Sequence, residues 1–295
     1  MLRLAVLLAA TALLAAGCGS SSSSSHGRIQ VVAAENFWGS IAAQLGGTKV
    51  QVASVIVNPA TDPHSYEPTA ADARSFAGAK LAIVNGIGYD TWASQLLSAN
   101  PVSGRRVLDV GDVLGLHEGD NPHQWYAPAS VQKAIGAIVA AYDTLDPKDA
   151  PYFAAQRRHF ETVSLARYDA LRAEIRRRFA GTPVGYSESI FAPLGASLGL
   201  KLLTPPSFAK AVAEGTDVSA ADLTAVETQA RERKIAVWVY NSQNATPEVQ
   251  RVNAICRSQG IPIATVTETL SPASDTYEQW QSAQLVRLLA ALEHP

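Results

Sequence analysis

Short apolar runs rich in β-branched residues alternate with helical patterns from Ile29 to the end of the chain. The runs are IQVVAA, VQVASVIV, LAIVNG and VLDV in the first half, and VGYSE, LKLLT, IAVWVYN and IPIATVT in the second. They are continuously apolar rather than alternating with polar residues, which is typical of parallel strands covered on both faces. The pattern predicts an α/β protein with two lobes, each with a mainly parallel sheet flanked by helices.

Helix starts in both halves carry residues suited to the N-cap. Thr69 with Asp72, and Ser219 with Asp222, have the hydroxyl and acid spacing of capping boxes. Thr246 precedes a proline at the first helical position. These signals predict helices that follow strands in each half of the chain.

The longest helical pattern lies between the two halves. It runs from Pro147 to Phe179, with Asp146 as the predicted N-cap and Gly181 as the stop. One helix over that range would be about 50 Å long, which suits a stiff connector between lobes. Its predicted apolar stripe comprises Tyr152, Phe153, Phe160, Val163, Leu165, Tyr168, Leu171 and Ile175.

The N-terminal segment differs in kind from the rest. Arg3 is followed by an apolar run that ends at Ala16 and is too short to span a bilayer, as in a signal peptide. LLAAGC resembles a bacterial lipobox, whose cysteine, here Cys18, becomes the lipidated first residue of the mature protein. Ala15 stands where the lipobox usually has leucine, so secretion without an anchor stays open. We expect an exported protein that touches the membrane only through a lipid anchor at Cys18.

Length and net charge limit the class of protein and its domain organisation. The chain has 295 residues, 47% of them hydrophobic, and a net charge of −2 with both signs scattered, which gives no basic stripe for nucleic acid. We predict a signal peptide with a lipobox-like end, a Ser-rich tether, an N-terminal lobe, one long connecting helix and a C-terminal lobe, and we expect a monomer. Their predicted ranges are 1–18, 19–28, 29–145, 146–180 and 181–295.

Two histidines have the setting of a ligand. His64 and His123 each follow a short proline turn, DPH and NPH, in a loop after a predicted strand. Glu188 and Glu268 leave the strands VGYSE and IPIATVT, with Asp275 shortly after. Ligands of open parallel sheets lie at the carboxyl ends of strands, so two imidazoles and two carboxylates could converge there on a divalent first-row metal ion. Solvated acids at strand ends are also common, and spacing alone leaves that interpretation open.

The other candidate residues have plainer interpretations. His159 lies among charges on the predicted connecting helix, and His117 lies in the loop LGLHEGDNPH, so both are interpreted as solvated residues. Cys256 is interpreted as a buried, inert thiol, because Cys18 belongs to the processed segment and no disulfide framework exists.

The motifs VVAAENFWGSIAAQLGG, DPHSYEPT, NPHQWY and SDTYEQWQ resemble the zinc and manganese family of substrate-binding proteins that serve ABC importers. The resemblance covers nearly all of the chain after the tether. It implies two α/β lobes joined by one long helix, with a metal ion held between them by four side chains. The expected role is capture of Zn²⁺ or Mn²⁺ as the transported ligand and delivery to a membrane permease, without enzymatic activity.

The same resemblance implies the ligands. The histidines of the DPH-x-YEP and PH-x-W motifs fall on His64 and His123. The third family ligand, a histidine or glutamate followed by phenylalanine, falls on Glu188 of Glu188-Ser-Ile-Phe. The fourth is usually an aspartate and falls by position on Glu268, which is a departure, with Asp275 as the alternative. Asp62, Tyr66 and Glu67 are candidates for hydrogen bonds that orient His64, or else plain turn residues.

The sequence alone does not decide between zinc and manganese, and it leaves two alternative functions. Imidazole nitrogen suits zinc, whereas two glutamates that bind through both oxygens would favour manganese. An exported metal-dependent hydrolase with Glu188 as general base is the enzymatic alternative, although four protein ligands would leave no open position for water. An iron-chelate receptor on the same scaffold would need arginines and aromatic residues at the cleft.

Overall fold

The structure is a computed structural model that describes residues 27–61, 63 and 66–294. The predicted signal peptide, Cys18 and most of the Ser-rich tether lie outside these residues, as do Asp62 and His64. In the described part of the chain, eight strands form two four-stranded sheets. The strands are β1 Ile29–Glu35, β2 Val50–Ile56, β3 Leu81–Val84, β4 Arg106–Asp109, β5 Pro183–Tyr186, β6 Lys201–Leu202, β7 Val237–Asn241 and β8 Ile263–Val266.

Both sheets have the same topology. The order is β2-β1-β3-β4 in the N-terminal lobe and β6-β5-β7-β8 in the C-terminal lobe, and every pairing is parallel. All four residues of β3 are buried, as expected of a strand covered on both faces. The predicted α/β class with two parallel sheets is confirmed. Because all strands of a parallel sheet point the same way, their following loops gather at one edge of each sheet.

Helices cover the faces of both sheets. In the first half they are α1 Asn36–Gly46, α2 Ala70–Gly78, α3 Thr91–Ala99, α4 Val110–Leu114 and α5 Pro128–Leu145. The second half contains α8 Ala192–Ser197, α9 Pro206–Ala213, α10 Ala220–Arg231, α11 Pro247–Ser258 and α12 Tyr277–Glu293, while α6 Ala150–His159 and α7 Ala166–Phe179 connect the halves. No helix in the described residues is long and apolar enough to cross a membrane.

The predicted N-caps are present in the structure. Thr69 accepts a hydrogen bond from the Asp72 backbone N–H while the Asp72 side chain accepts one from the Thr69 backbone, which completes a capping box at α2. Ser219 caps α10 by accepting from the Asp222 backbone N–H. Thr246 caps α11 ahead of a proline. These local signals therefore start three helices where the sequence predicts them.

The connection between the lobes is helical but not a single α-helix. Residues Pro147–Asp149 form a 3-10 turn, and a π-helical turn, Phe160–Ser164, separates α6 from α7. The predicted long helix is therefore present but departs from α-helical geometry at two places. Val163 is also misassigned to the apolar stripe, because its side chain is 58% exposed. It occupies the π turn, where helical periodicity no longer sets the buried face.

One hydrophobic core extends through both lobes and the connecting helices. It includes Phe37 and Trp125 from the first half, Phe160 from the π turn, and Trp280 from the last helix. The C-terminal helix α12 returns to the N-terminal half, where the Tyr277 hydroxyl donates to the Trp125 carbonyl at 2.7 Å. The two lobes are therefore joined by shared packing as well as by the chain connection.

Candidate metal centre

Three side chains predicted as ligands converge at the edge where the two sheets face each other. His123 comes from the loop before the 3-10 turn Gln124–Tyr126, Glu188 follows β5, and Glu268 follows β8. Each offers one ligand atom, and these atoms all lie within 4.8 Å of one another. The His123 Nε2 atom lies 3.2 Å from Glu268 Oε1 and 3.8 Å from Glu188 Oε1. The arrangement brings one nitrogen and two oxygens to a common point.

The three side chains are buried. The exposed fraction is 0% for His123, 1% for Glu188 and 6% for Glu268. Two carboxylates in such a setting have lost most of their hydration, which costs several kcal/mol per ion unless a positive charge compensates them. A divalent cation between the donors would supply that charge, and the mixed nitrogen and oxygen set is chemically suited to one.

The ring of His123 is oriented by Asn121. The Asn121 amide nitrogen donates to the Ser189 carbonyl at 2.8 Å, so its Oδ1 faces the histidine, 2.7 Å from Nδ1. The His123 backbone N–H also donates to this Oδ1, at 3.1 Å. In the neutral ring the proton therefore lies on Nδ1, and the Nε2 lone pair faces the carboxylates. An imidazole held in this tautomer by a neighbouring acceptor is the usual form of a metal ligand.

Tyr89 fixes the second carboxylate. Its hydroxyl donates to Glu268 Oε1 at 2.8 Å. Burial, together with the nearby carboxyls of Glu268 and Glu35, raises the pKa of Tyr89 well above its ordinary value, so the phenol remains a hydrogen-bond donor. An aromatic wall backs the site, where His123 makes edge contacts with Tyr89 and Trp125, and the ring of Trp125 stacks on that of Phe37 with centroids 3.9 Å apart.

Asn241 lies between the two carboxylates and was not singled out from the sequence. Its amide nitrogen lies 3.0 Å from Glu188 Oε2 and 3.0 Å from Glu268 Oε2. The signal for it was available in the pattern, because Asn241 ends the predicted strand IAVWVYN with a polar residue. Tyr89, in the loop after β3, was missed too, and its role depends on packing that periodicity does not reveal.

The remaining predicted site residues lie elsewhere or outside the described residues. His64 and Asp62 lie outside them, so the first ligand and one of its predicted partners have no described position. Tyr66 donates its hydroxyl to Asp72 at 2.9 Å and so supports the cap of α2. Glu67 is exposed. Asp275 is not part of the three-residue cluster, in which Glu268 supplies the carboxylate from this part of the chain.

His117, His159 and Cys256 are not part of this cluster. His117 and His159 are exposed, as predicted for solvated residues. Cys256 is buried in the core of the C-terminal lobe and has a free thiol, and burial raises its pKa to about 12. A thiol with so high a pKa stays protonated and unreactive, in agreement with its interpretation as inert.

Two cavities adjoin the cluster. One of about 410 Å³ is lined by the loop residues Pro59 and Thr61 and by Glu188, Asn241 and Glu268. The other, of about 360 Å³, is lined on one side by His123 and Ser189 and on the other by α9 residues such as Lys210. Both cavities lie beside the candidate ligands and are lined by residues of both halves of the chain.

Comparison with known proteins assigns the chain to a family. The sequence profile described as "Zinc-uptake complex component A periplasmic" matches residues 31–291. The chain belongs to this family. The resemblance carried by the DPH and NPH turns is thereby confirmed.

Three relatives illustrate the range of this family. A putative metal-binding protein of Treponema pallidum is 25% identical over 210 residues, which cover 64% of this chain and 65% of that one. A manganese ABC transporter substrate-binding lipoprotein of Streptococcus pneumoniae is 34% identical over 127 residues, 38% of this chain and 40% of the relative. The high-affinity zinc uptake system protein of Bacillus subtilis is 22% identical over 266 residues, with 82% and 81% covered. The chain therefore matches less than two thirds of the first two relatives.

Solved structures share the fold. A periplasmic metal binding protein from Candidatus Liberibacter asiaticus superposes with a TM-score of 0.73 at 21% identity, covering 90% of this chain and 100% of that one. The same protein has been solved with cadmium and with manganese bound. At this identity the likeness supports the architecture of two lobes and a helical connection.

Proposed function

We propose that this protein is an extracytoplasmic receptor that captures a divalent transition metal ion, zinc or manganese, between its lobes and delivers it to an ABC transporter permease. The observation that carries the proposal is the buried cluster of His123, Glu188 and Glu268, whose ligand atoms lie within 4.8 Å of one another. Membership of the zinc-uptake family and the named functions of the zinc and manganese relatives support it.

The fourth ligand in this proposal is His64. The turn DPH that carries it lies between Thr61, which lines the larger cavity, and the capped start of α2 at Thr69. Because His64 is only three positions from Thr61, which lines the same cavity as Glu188 and Glu268, we expect its imidazole to be within reach of the cluster. With His64, the ion would have two nitrogen ligands and two carboxylates.

Catalysis is less well supported. In the hydrolase alternative Glu188 would be a general base, but its Oε1 faces His123 and its Oε2 accepts from Asn241, the geometry of a ligand rather than of a base. For the iron-chelate alternative, no arginine is among the described residues that line the two cavities. A binding role also agrees with a family of transport receptors. We further propose that the chain acts as a monomer, anchored through Cys18.

Metal analysis of the purified protein tests the function. After chelation and reloading with Zn²⁺ or Mn²⁺, the wild type should retain one equivalent, whereas His123→Ala and Glu188→Gln should lose it because each removes a donor atom or its charge. His64→Ala should behave in the same way. His159→Ala removes an exposed histidine of the connecting helix and should retain the full equivalent. A wild type without bound metal, or a His123→Ala variant with a full equivalent, contradicts the proposal.

A further inference from the structure

Asn241 occupies a position that the sheet topology creates. In the C-terminal lobe β7 lies between β5 and β8, and it pairs in parallel with both. Glu188 follows β5 and Glu268 follows β8, so the last residue of β7 lies between the two carboxylates. That residue is Asn241, which is completely buried. The central strand thus contributes a hydrogen-bond donor where its neighbours contribute metal ligands.

The orientation of the Asn241 amide is fixed by the backbone. The Gln243 backbone N–H donates to Asn241 Oδ1 at 3.0 Å, which identifies the oxygen side of the amide. The nitrogen therefore faces the site and donates one hydrogen to Glu188 Oε2 and the other to Glu268 Oε2, both at 3.0 Å. Both amide hydrogens are used, and each goes to the carboxylate oxygen that is not the one nearest His123.

A second asparagine completes the arrangement at Glu188. The Asn244 amide nitrogen donates to Glu188 Oε2 at 3.2 Å and to the Val212 carbonyl at 2.9 Å, which holds it in place. Glu188 Oε2 therefore accepts two hydrogen bonds, from Asn241 and Asn244. A carboxylate oxygen has two lone pairs, so both acceptor positions of this oxygen are filled.

Glu268 is held differently. Its Oε1 accepts from Tyr89 and its Oε2 accepts from Asn241, so these two donors are spread over both oxygens. At Glu188, in contrast, the two asparagine amides converge on one oxygen. The two glutamates are thus unequal. A metal ion that bound Glu188 through both oxygens would have to displace an asparagine amide from Oε2.

We propose that Asn241 and Asn244 restrict Glu188 to coordination through Oε1 alone, and that this limit on coordination number makes the site favour zinc over manganese. The inference rests on the proposed function and selects between its two metals. Zinc is stable with four ligands, whereas manganese prefers six oxygen-rich positions and would gain from a second oxygen of Glu188. Binding of Glu188 through both oxygens would favour manganese, and the two asparagines therefore disfavour it.

Removal of either asparagine tests the proposal in the purified full-length protein. Asn241→Leu and Asn244→Leu keep the approximate size of the side chain and delete its donors, so each frees a lone pair on Glu188 Oε2. The ratio of the Kd for Mn²⁺ to the Kd for Zn²⁺ should fall about tenfold in each variant, the usual size of an effect on metal affinity from a residue that holds a ligand. Competition against a chromophoric chelator measures both constants.

Bound Co²⁺ gives an independent readout of coordination number. Four-coordinate cobalt absorbs visible light strongly, five-coordinate cobalt less strongly, and six-coordinate cobalt only weakly. The wild type should give the strong spectrum, and the two variants should give a weaker one as Glu188 supplies its second oxygen. A six-coordinate spectrum for the wild type overturns the proposal, and so does an unchanged Kd ratio in a variant that is folded and binds one equivalent.

Asn253→Leu is the matched control. Asn253 is another buried asparagine of the same lobe, and it accepts a hydrogen bond from Trp238 of β7 at 2.7 Å, away from the carboxylates. This variant should lose stability but keep the wild-type Kd ratio and cobalt spectrum. If Asn241→Leu does not fold, the variant at the partly exposed Asn244 decides the matter alone. A wild type that binds none of the three metals refutes the proposed function itself, an outcome distinct from an unchanged ratio.

Discussion

Glu35 and Asp90 form a buried pair of acidic residues behind the candidate metal centre. Asp90 accepts backbone hydrogen bonds from Asn85 at 2.7 Å and Gly86 at 2.8 Å, whereas Glu35 ends β1 with a completely buried side chain. Burial, and then the Asp90 carboxyl, raise the pKa of Glu35 well above its ordinary 4.5. Burial also raises the pKa of Asp90 to about 6. A neutral Glu35 that donates its proton to Asp90 satisfies both groups.

Glu35→Gln should therefore alter the pH dependence of stability in chelated protein. The raised pKa of Glu35 favours folding fully below its ordinary value of 4.5, and this contribution is lost as the pH rises toward the pKa in the folded state. The wild type should lose stability as the pH rises above the ordinary pKa of 4.5, whereas the glutamine variant, which cannot ionise and can still donate to Asp90, should lose less. Urea unfolding at several pH values measures the difference.

The exposed Glu67 provides the control for that experiment. Glu67→Gln removes the same charge from the surface and should leave the pH profile of the wild type unchanged. The groups that face Glu35 are Asp90 and Glu268, both acidic, and Tyr89. A Glu35→Gln variant that loses stability relative to the wild type as the pH rises would show that the folded protein holds Glu35 ionised rather than neutral.

At the residue scale the sequence pointed to three side chains that converge in the structure, His123, Glu188 and Glu268, but not to their hydrogen-bond partners. His123, Glu188 and Glu268 were predictable because a proline turn or a strand end marks each of them. Asn241 also ends a predicted strand, but an asparagine there is common and indicates no particular role, and Tyr89 lies in a loop without a comparable signal. Their importance comes from hydrogen bonds across 53 and 179 positions of the chain, to Glu188 and Glu268 respectively, which depend on the tertiary fold.

At the scale of elements, the π turn in the connecting helix follows from a spacing in the sequence. Phe160 and Leu165 are both buried and lie five positions apart, whereas an α-helix brings residues three or four apart onto one face. An extra residue accommodated as a π turn restores the alignment. From Leu165 onward the buried positions Tyr168 and Ile175 again follow helical spacing. The predicted stripe failed at Val163 because one period was applied across this insertion.

Deletion of Val163 should convert the connection into a regular α-helix. It places Leu165 four positions after Phe160 and leaves the later buried residues in phase, while the side chain removed is 58% exposed. We expect the free energy of unfolding to change by less than about 1 kcal/mol, as for other changes at exposed positions. Urea denaturation followed by circular dichroism gives this value.

Deletion of Ala170 is the matched comparison for the Val163 deletion. Ala170 is also exposed, but it lies inside the regular helix α7, between the buried Tyr168 and Ile175. Its loss rotates Ile175 away from the core by about 100° and should cost about 3 kcal/mol, similar to truncation of a buried isoleucine. Equal effects of the two deletions would mean that the π turn is not an accommodated insertion.

The strands and capped helices were the most predictable elements of the chain. Continuous apolar runs identified the buried parallel strands, and hydroxyl residues at Thr69, Ser219 and Thr246 identified helix starts, because both signals are local. The order of strands within each sheet is not local. This order places β7 between β5 and β8, and so places Asn241 between Glu188 and Glu268. It could not be predicted from local sequence signals.

At the scale of the whole molecule, the lobes share one core flanked by two smaller clusters. Trp92 belongs to the cluster on the outer side of the N-terminal sheet, and Trp238 to the cluster on the outer side of the C-terminal sheet. Hydrogen bonds also link distant parts of the chain, as from the Leu270 backbone N–H to Asn36 and from the Tyr126 hydroxyl to Gln284. The two outer clusters are therefore coupled through the structure between them.

We expect the two outer clusters to unfold in one cooperative transition. In protein labelled with fluorotryptophan, the ¹⁹F resonances of Trp92 and Trp238, assigned with Trp→Phe variants, should disappear at the same urea concentration. Zinc should raise both midpoints equally, because the proposed ligands come from both lobes. The gain is about 2.7 kcal/mol when free zinc exceeds its Kd about a hundredfold. Two separate midpoints, or a zinc effect confined to one tryptophan, would mean that the lobes unfold independently and that the shared core does not couple them.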